Sequence, residues 1–268
     1  MRDGIETGTG PLSAGSDIKI SIVTVVLDSV STIEDCLKSV RSQTHRAIEH
    51  IVIDGGSTDG TLDVLERYRN GLAVLRSGPD AGLYDAMNKG IGLATGDVLG
   101  ILNADDILAG DSVLADVCGT LAGSGAETCY GDLTYVGRDD TDKVVRCWRA
   151  GGFRRERFAR GWMPPHPTFF ARRTLYGKYG DFNLSFPLAA DYELMLRFLY
   201  RHGLSAAYIP RVLVRMRSGG LSRPGPATFK MAVENYRAWK VNGLKYPPAV
   251  LLKPFTKMTQ WRKGPDEA

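Results

Sequence analysis

The segment Asn103-Ala104-Asp105-Asp106 ends an apolar run that contains Val98, Leu99, Ile101 and Leu102. Asn103 and Asp105 lie two residues apart, so on an extended chain their side chains project to one side. Two oxygen donors there suit Mg2+ or Mn2+, which take carboxylate, carbonyl and phosphate oxygens. Asp106 would point elsewhere, toward sugar hydroxyls or a helix N-terminus. A plainer reading has Asp105 or Asp106 capping the next turn. Asp54 and Asp80 also follow apolar runs. A carboxylate such as Asp54 can accept the ring N–H of a nucleobase, or Asp54-Gly55-Gly56-Ser57 simply makes a turn. Thr24 offers a hydroxyl in the first apolar run, and Asn88 with Lys89 could reach a ribose or a phosphate. Asp59, followed by Gly60 and Thr61, reads as an organiser of its loop and of the next helix start.

These residues need a frame. Residues 18–27 form a nearly continuous apolar run, as in a strand buried on both faces. Residues 31–43 read as a helix with Ile33, Leu37 and Val40 on one stripe, and Ser31 with Glu34 predicts a capping box. A strand over 48–54, a helix over 62–68, a strand over 72–77, a helix over 81–94 and a strand over 97–102 follow. The alternation predicts an α/β fold with a parallel sheet and helices on both faces. Ligands bind such sheets outside the carboxyl ends of the strands, where Asp54, Asp80 and Asp105 all fall. The second half is less regular. It reads as a helix over 111–121, an antiparallel strand pair over 128–136 and 143–149, and a helix over 188–202 ended by Gly203. Short strands over 205–208 and 212–216 flank Pro210, and a helix covers 228–241. The expected organisation is an N-terminal arm (1–17), a main domain over 18–222 with halves 18–110 and 111–222, and a basic helical extension (223–268).

A chain of 268 residues that is 43% hydrophobic can bury one large α/β core. The net charge of +4 gives no argument for nucleic acid. Lys and Arg concentrate over 146–173 and after residue 223, which fits an anionic substrate, a membrane surface or a solvated face. The four cysteines show no CxxC spacing and read as small buried hydrophobes of a reduced compartment. Residues 1–16 lack the apolar core of a signal peptide, and no run approaches the ~20 apolar residues of a membrane span. A cytoplasmic protein able to touch the inner face of the cell membrane is expected.

Five segments in order make the chain resemble the family 2 glycosyltransferases, nucleotide-diphospho-sugar transferases of the GT-A fold. They are Ile20-Ser-Ile-Val-Thr-Val-Val26, the stretch from Val52-Ile-Asp54 to Thr61, and Asp80-Ala-Gly-Leu-Tyr84-Asp-Ala-Met-Asn88-Lys-Gly90. The last two are Gly96-Asp-Val-Leu-Gly-Ile-Leu-Asn103-Ala-Asp105-Asp106 and Ala190-Asp191-Tyr-Glu-Leu-Met-Leu-Arg197. The resemblance implies a GT-A sheet with a smaller antiparallel acceptor-side region. It implies donor-site roles for Asp54, Asp105, Thr24, Asp80 and Asn88. It also implies Mn2+ or Mg2+ on Asp105, with Asn103 as a helper, and a UDP-, GDP- or dTDP-linked sugar donor. Inverting displacement needs a general base, and the resemblance places it at Asp191, with Glu193 as the fallback. A carboxylate at a helix start is also a common cap.

His166 sits in the rigid stretch Pro164-Pro165-His166-Pro167-Thr168-Phe169-Phe170. It approaches the metal, the diphosphate or the acceptor, or it is an ordinary surface or core histidine. Arg154, Arg155, Arg157 and Arg160, with Trp148 and Trp162, suit a sugar-diphosphate lipid, or they form a solvated face. The implied setting is bacterial polysaccharide or lipopolysaccharide assembly with a glycan or polyprenyl-linked acceptor. The tail from 223 to 263 either meets a membrane there or packs back on the domain. Three positions depart from the common pattern: Asp28 replaces an Asn, Gly55 replaces a second Asp, and Asn103 replaces the first Asp of Asp-x-Asp. A sugar-nucleotide nucleotidyltransferase is the rival enzyme, but it usually shows a Gly-rich loop with a basic residue that 18–32 lack. A non-catalytic nucleotide-binding module is the other rival.

Overall fold

The computed structural model describes residues 18–219 and 226–247. The expected arm and the far end of the tail lie outside these residues. Four strands, β1 (Ile20–Val26), β2 (Ile48–Asp54), β3 (Val74–Ser77) and β4 (Val98–Asn103), pair in parallel in the order β3-β2-β1-β4. All seven residues of β1 are buried. Ile20, Ile22 and Val26 pack under α1 (Ile33–Arg41) and α2 (Thr61–Arg67), while Val23 and Val25 pack on α3 (Leu83–Leu93). Helix α3 crosses so close that a Cβ at Gly90 would lie 2.2 Å from Val23 Cγ1, which only glycine avoids. The connections from β1 run to one side and the return into β4 to the other, so the crevice opens at the carboxyl ends of β1 and β4.

Beyond β4 the sheet continues through β8 (Phe170–Arg172), β6 (Thr128–Val136), β9 (Ala206–Arg217) and β5 (Asp106–Leu108), with β7 (Val144–Trp148) paired to β6. Antiparallel pairs dominate here, although β6 and β9 run parallel. Helices α4 (Val113–Ser124), α5 (Thr174–Tyr179), α6 (Ala190–Met195) and α7 (Pro226–Val241) complete the described residues. No described helix is long and apolar enough to cross a membrane.

Several local expectations are corrected. The Ser31/Glu34 capping box does not form: Ser29 O accepts the N–H groups of Thr32 and Ile33, and Glu34 instead accepts the Tyr68 hydroxyl at 2.7 Å. The two strands expected around Pro210 are one, β9, because a register shift opposite Gly131–Asp132–Leu133 absorbs the proline's missing N–H. The helix expected over 188–202 is α6 followed by a π-helical stretch, Leu196–Arg201. Strands β5 and β8 and helix α5 were too short to leave a periodic signal.

Two buried titratable groups tie the parallel half together. Glu49 accepts hydrogen bonds from Ser21 Oγ, Thr95 N–H, Thr95 Oγ and Lys19 Nζ. Burial alone would raise its pKa, but these donors outweigh it and hold the carboxyl at about 2 against an ordinary 4.5. His50 is buried with Nε2 3.0 Å from Thr24 Oγ1, and burial pushes its imidazole down to about 4. Both folded values are depressed, so both contributions are present at neutral pH and lost on acidification. Urea unfolding should therefore weaken first between pH 6.5 and 4 through His50, then between 4.5 and 2 through Glu49. Glu49→Gln should cost about 3 kcal/mol at pH 7 and flatten the lower limb; an unchanged slope below pH 4.5 would contradict this account.

Candidate active site

The turn after β4 carries the acidic segment. Ala104 and Asp105 form a tight turn into β5, and Asp106 pairs with Met216 of β9. This ends the extended geometry on which the shared side of Asn103 and Asp105 was expected. Asn103 Nδ2 instead donates to Asp106 Oδ2 at 3.2 Å. Asp106 is fully buried, which corrects the expectation that it reaches sugar hydroxyls or a helix end. Burial, then the neighbouring charge of Asp105, pushes its carboxyl far above the usual range, against the pull of Asn103 and Arg217. Arg217, at the end of β9, clamps the turn: it donates to Asp105 O and Arg138 O, each at 3.0 Å, and pairs with Asp35 of α1. The Asp105 carboxylate is half-buried, and no described residue hydrogen-bonds or ion-pairs with it. Asn103 Oδ1 is buried with no partner. Oxygen donors of this kind fit a hard divalent cation. No three described His, Cys, Asp or Glu residues converge as a cage, so such a cation would draw its remaining ligands from substrate and water.

Three residues expected at the donor site are engaged by the protein's own groups. Asp54 is buried and commits both oxygens to its own surroundings: Gly56 and Ser57 N–H groups, Ser57 Oγ and Ser77 Oγ. It builds the turn after β2. Thr24 faces α1, where Oγ1 meets His50 and lies 3.8 Å from Cys36 Sγ, sealed from any ligand. Asn88 bridges instead to the second half, with Nδ2 donating to Phe182 O and Oδ1 accepting Phe182 N–H, at 2.9 and 3.0 Å. Lys89 likewise donates to Pro79 O and pairs with Asp85.

Asp80 remains. Its Oδ1 accepts the Gly82 N–H at 2.8 Å, and no described residue bonds Oδ2. A Cβ on Gly55 would lie 2.7 Å from that Oδ2, so the glycine at 55 makes room for the carboxylate. Around it the loops after β1 and β2 are locked. Asp28, at φ 44°, accepts the Thr58 N–H, and Asp59 accepts the N–H groups of Val30 and Thr61. The organising role expected of Asp59 is the one observed.

Asp191 opens α6. Its Oδ1 accepts the Tyr84 hydroxyl at 3.2 Å and the Tyr192 N–H at 2.7 Å, and no described residue bonds Oδ2. Burial, then the charge of Asp191, pushes the Tyr84 phenol up, so it stays protonated and donates. The Tyr84 ring packs on Phe182 with centroids 5.3 Å apart, and Phe182 meets the His166 ring edge-on at 5.5 Å. Burial lowers the His166 pKa while the Asp191 charge raises it. One wall thus joins Asn88, Tyr84, Phe182, His166 and Asp191.

The last helix holds that wall. Glu234 of α7 accepts the N–H groups of Leu188 and Ala189, both at 2.9 Å, at the start of α6. Trp239 Nε1 donates to the Tyr192 hydroxyl at 2.8 Å. Asn242 Nδ2 donates to Glu193 Oε1. Glu193 is buried in a two-bond pair with Arg197, whose guanidinium also meets the carbonyls of Tyr179, Gly180 and Asp181, so it is no fallback base. Arg157 lies over Trp162 and donates to Ala150 and Gly152 carbonyls, and Arg155 donates to Tyr200 O. These arginines pin the loop rather than wait for a ligand, while Arg154 and Arg160 stay exposed.

Tyr84, Phe182, Arg217 and Glu234 were missed in the sequence. Tyr84 stands one helical turn before Asn88 and could have been found by that spacing. The other three act across long sequence separations and leave no local signal.

Residues 21–181 match the model of glycosyl transferase family 2. An uncharacterized glycosyltransferase of Mycobacterium tuberculosis is 37% identical over 180 residues, covering 66% of this chain and 68% of that protein. A PGL/p-HBAD biosynthesis glycosyltransferase of Mycobacterium bovis is 34% identical over 209 residues, 75% of this chain and 78% of that protein. Among solved structures, S. aureus TarS in complex with UDP superposes with a TM-score of 0.65 at 18% identity, over 88% of this chain and 68% of that one. Glucosyl-3-phosphoglycerate synthase from Mycobacterium tuberculosis, with Mn2+, UDP and glucosyl-3-phosphoglycerate, gives 0.60 at 20% identity, over 86% and 82%. At these identities the structural likeness speaks for the fold alone. The parallel half, the antiparallel continuation and the match over most of the chain agree: this protein belongs to glycosyl transferase family 2 and is a glycosyltransferase of the GT-A fold.

Proposed function

We propose that this glycosyltransferase inverts the anomeric centre while moving a sugar from a nucleoside diphosphate to a hydroxyl of a glycan or polyprenyl-linked saccharide. The proposed setting is bacterial cell-surface polysaccharide assembly. The carrying observation is the Asp191 carboxylate, with one oxygen held by Tyr84 and by backbone, and the other without a partner among the described residues. Such a group can take the acceptor hydroxyl proton as that oxygen bonds C1. The C1–O bond to the diphosphate breaks, and its electron pair leaves with the nucleoside diphosphate. Tyr84 keeps the carboxylate oriented, and Glu234 holds the start of its helix. His166, on the same wall, is assigned a hydrogen bond to the acceptor or the diphosphate.

Asp105 and Asn103 Oδ1 would hold Mn2+ or Mg2+, which when bound offsets the charge of the leaving diphosphate. Asp80, rather than Asp54, is assigned the contact to a UDP, GDP or dTDP base. Two structural neighbours support a nucleotide site, since TarS was solved with UDP and the synthase with Mn2+ and UDP. Residues 18–110 then form the donor half and 111–222 the acceptor half, with 223–268 as a basic helical extension. The protein works in the cytoplasm, on the inner face of the cell membrane.

Asp191→Asn should lower kcat by about 10²–10⁴-fold while nucleotide still raises Tm as in the wild type; undiminished turnover would remove Asp191 as base. Tyr84→Phe should lower kcat about tenfold, a share of that general-base term, with donor KM unchanged. A thermal-shift screen of UDP, GDP, dTDP and CMP with and without Mn2+ tests the donor site, because a ligand that binds only the folded state raises Tm. One nucleotide should give an Mn2+-dependent shift that Asp105→Asn abolishes and Asp80→Ala weakens. Asp54→Ala should instead lower Tm without ligand. No Mn2+-dependent shift with any nucleotide would defeat the metal assignment.

A further inference from the structure

Helix α7 has two faces of opposite character. Inward, Glu234, Ala238, Trp239 and Asn242 are buried against the wall that holds Asp191. Outward, Phe229, Val233 and Tyr236 repeat at i, i+4 and i+7, so they form one ridge on a helix. Phe229 is 76% exposed and Tyr236 50%. Lys240 continues the ridge, and Lys230 and Arg237 flank it, all exposed. Glu234 is the only carboxylate between residues 226 and 247, and it is turned inward. The outer face therefore presents apolar side chains and cations with no acid among them.

We propose that this face is the surface by which the protein rests on an anionic lipid bilayer. The proposal rests on the reading above that the acceptor meets the enzyme at a membrane, and it names the surface and the lipid charge. Three observations favour a bilayer over a second copy of this chain. An isologous contact would set this cationic, acid-free helix face against a second copy of itself, whereas anionic headgroups meet Lys230, Arg237 and Lys240 with the opposite charge. Aromatic and aliphatic side chains on a cationic helix suit the boundary between headgroups and acyl chains. The sequence after residue 247 keeps the same composition, with Lys253, Phe255, Lys257, Trp261, Arg262 and Lys263 before the acidic end. The inner face of α7 holds the start of α6, so docking through the outer face would bring the Asp191 wall toward the lipid.

Full-length protein should float in a density gradient with vesicles of phosphatidylcholine plus phosphatidylglycerol, and not with phosphatidylcholine alone. The triple variant Phe229→Ser/Val233→Ser/Tyr236→Ser, and separately Lys230→Glu/Lys240→Glu, should bind at least tenfold less. Both should keep turnover of a soluble acceptor saccharide, with Tm lowered only in the triple variant, which loses the ring contact of Tyr236 with Tyr246. Raised salt should weaken wild-type binding. If wild type and both variants float alike, this surface is wrong while the membrane reading stands. If nothing floats, the membrane reading falls too. Loss of a concentration-dependent dimer in the triple variant, without lipid binding by wild type, would assign the face to self-association and overturn the proposal.

Discussion

Strand β1 is buried along its whole length on both faces, and this constraint shapes everything around it. A polar side chain inside such a strand cannot reach solvent, so it must find an internal partner. Thr24 does so with His50. Chemistry is therefore displaced to the strand ends, where the backbone leaves the sheet and side chains can face a ligand. The same burial fixes the register of β2 and β4 on either side of β1. It thereby sets Asp54 and the Asp105 turn at the same end of the sheet, one on each side of β1.

The aspartates at those ends divide by what their oxygens already do. Asp54 and Asp59 are occupied by backbone and hydroxyl donors, and Asp106 is sealed within the turn. They are scaffolding, and their interactions make the loops stiff. Asp80, Asp105 and Asp191 each keep an oxygen with no partner among the described residues. An unpaired carboxylate oxygen beside a rigid frame is poised to exchange water for a ligand without rearrangement, and such preorganisation is what a transferase needs. Asp28 belongs to the frame: its left-handed backbone lets one side chain join two loops.

The parallel half was readable from sequence because its strands and helices are long and periodic. The expected spans of β1, β2, β4, α1 and α3 fall within a few residues of those observed. The strand pair β6–β7 was also foreseen. What failed did so for physical reasons. Strands of three residues carry no period, so the turn that brings Asp106 back beside β9 was invisible. A proline in a strand suggests a break, yet Pro210 and Arg211 bulge out of register against β6 and β9 continues past them. The roles of Thr24 and Asn88 depended on which face each side chain took, and family likeness assigns residues without assigning faces. The positions of Asp80, Asp105 and Asp191 were correctly placed at element ends. Their partners Arg217, Phe182 and Glu234 come from distant sequence, and only packing shows them.

Arg217 has a consequence for biogenesis. Its guanidinium joins the Asp105 turn to α1 from the very end of β9. Synthesis delivers the parallel half first, and that half can collapse around β1 while the rest is still emerging. The acidic turn has no staple until residue 217 has left the ribosome. The start of α6 has no acceptor for its first amides until Glu234 follows. Nascent chains and prematurely terminated products thus lack these two fasteners of the site, and such fragments hold an unassembled site however well their first half has folded.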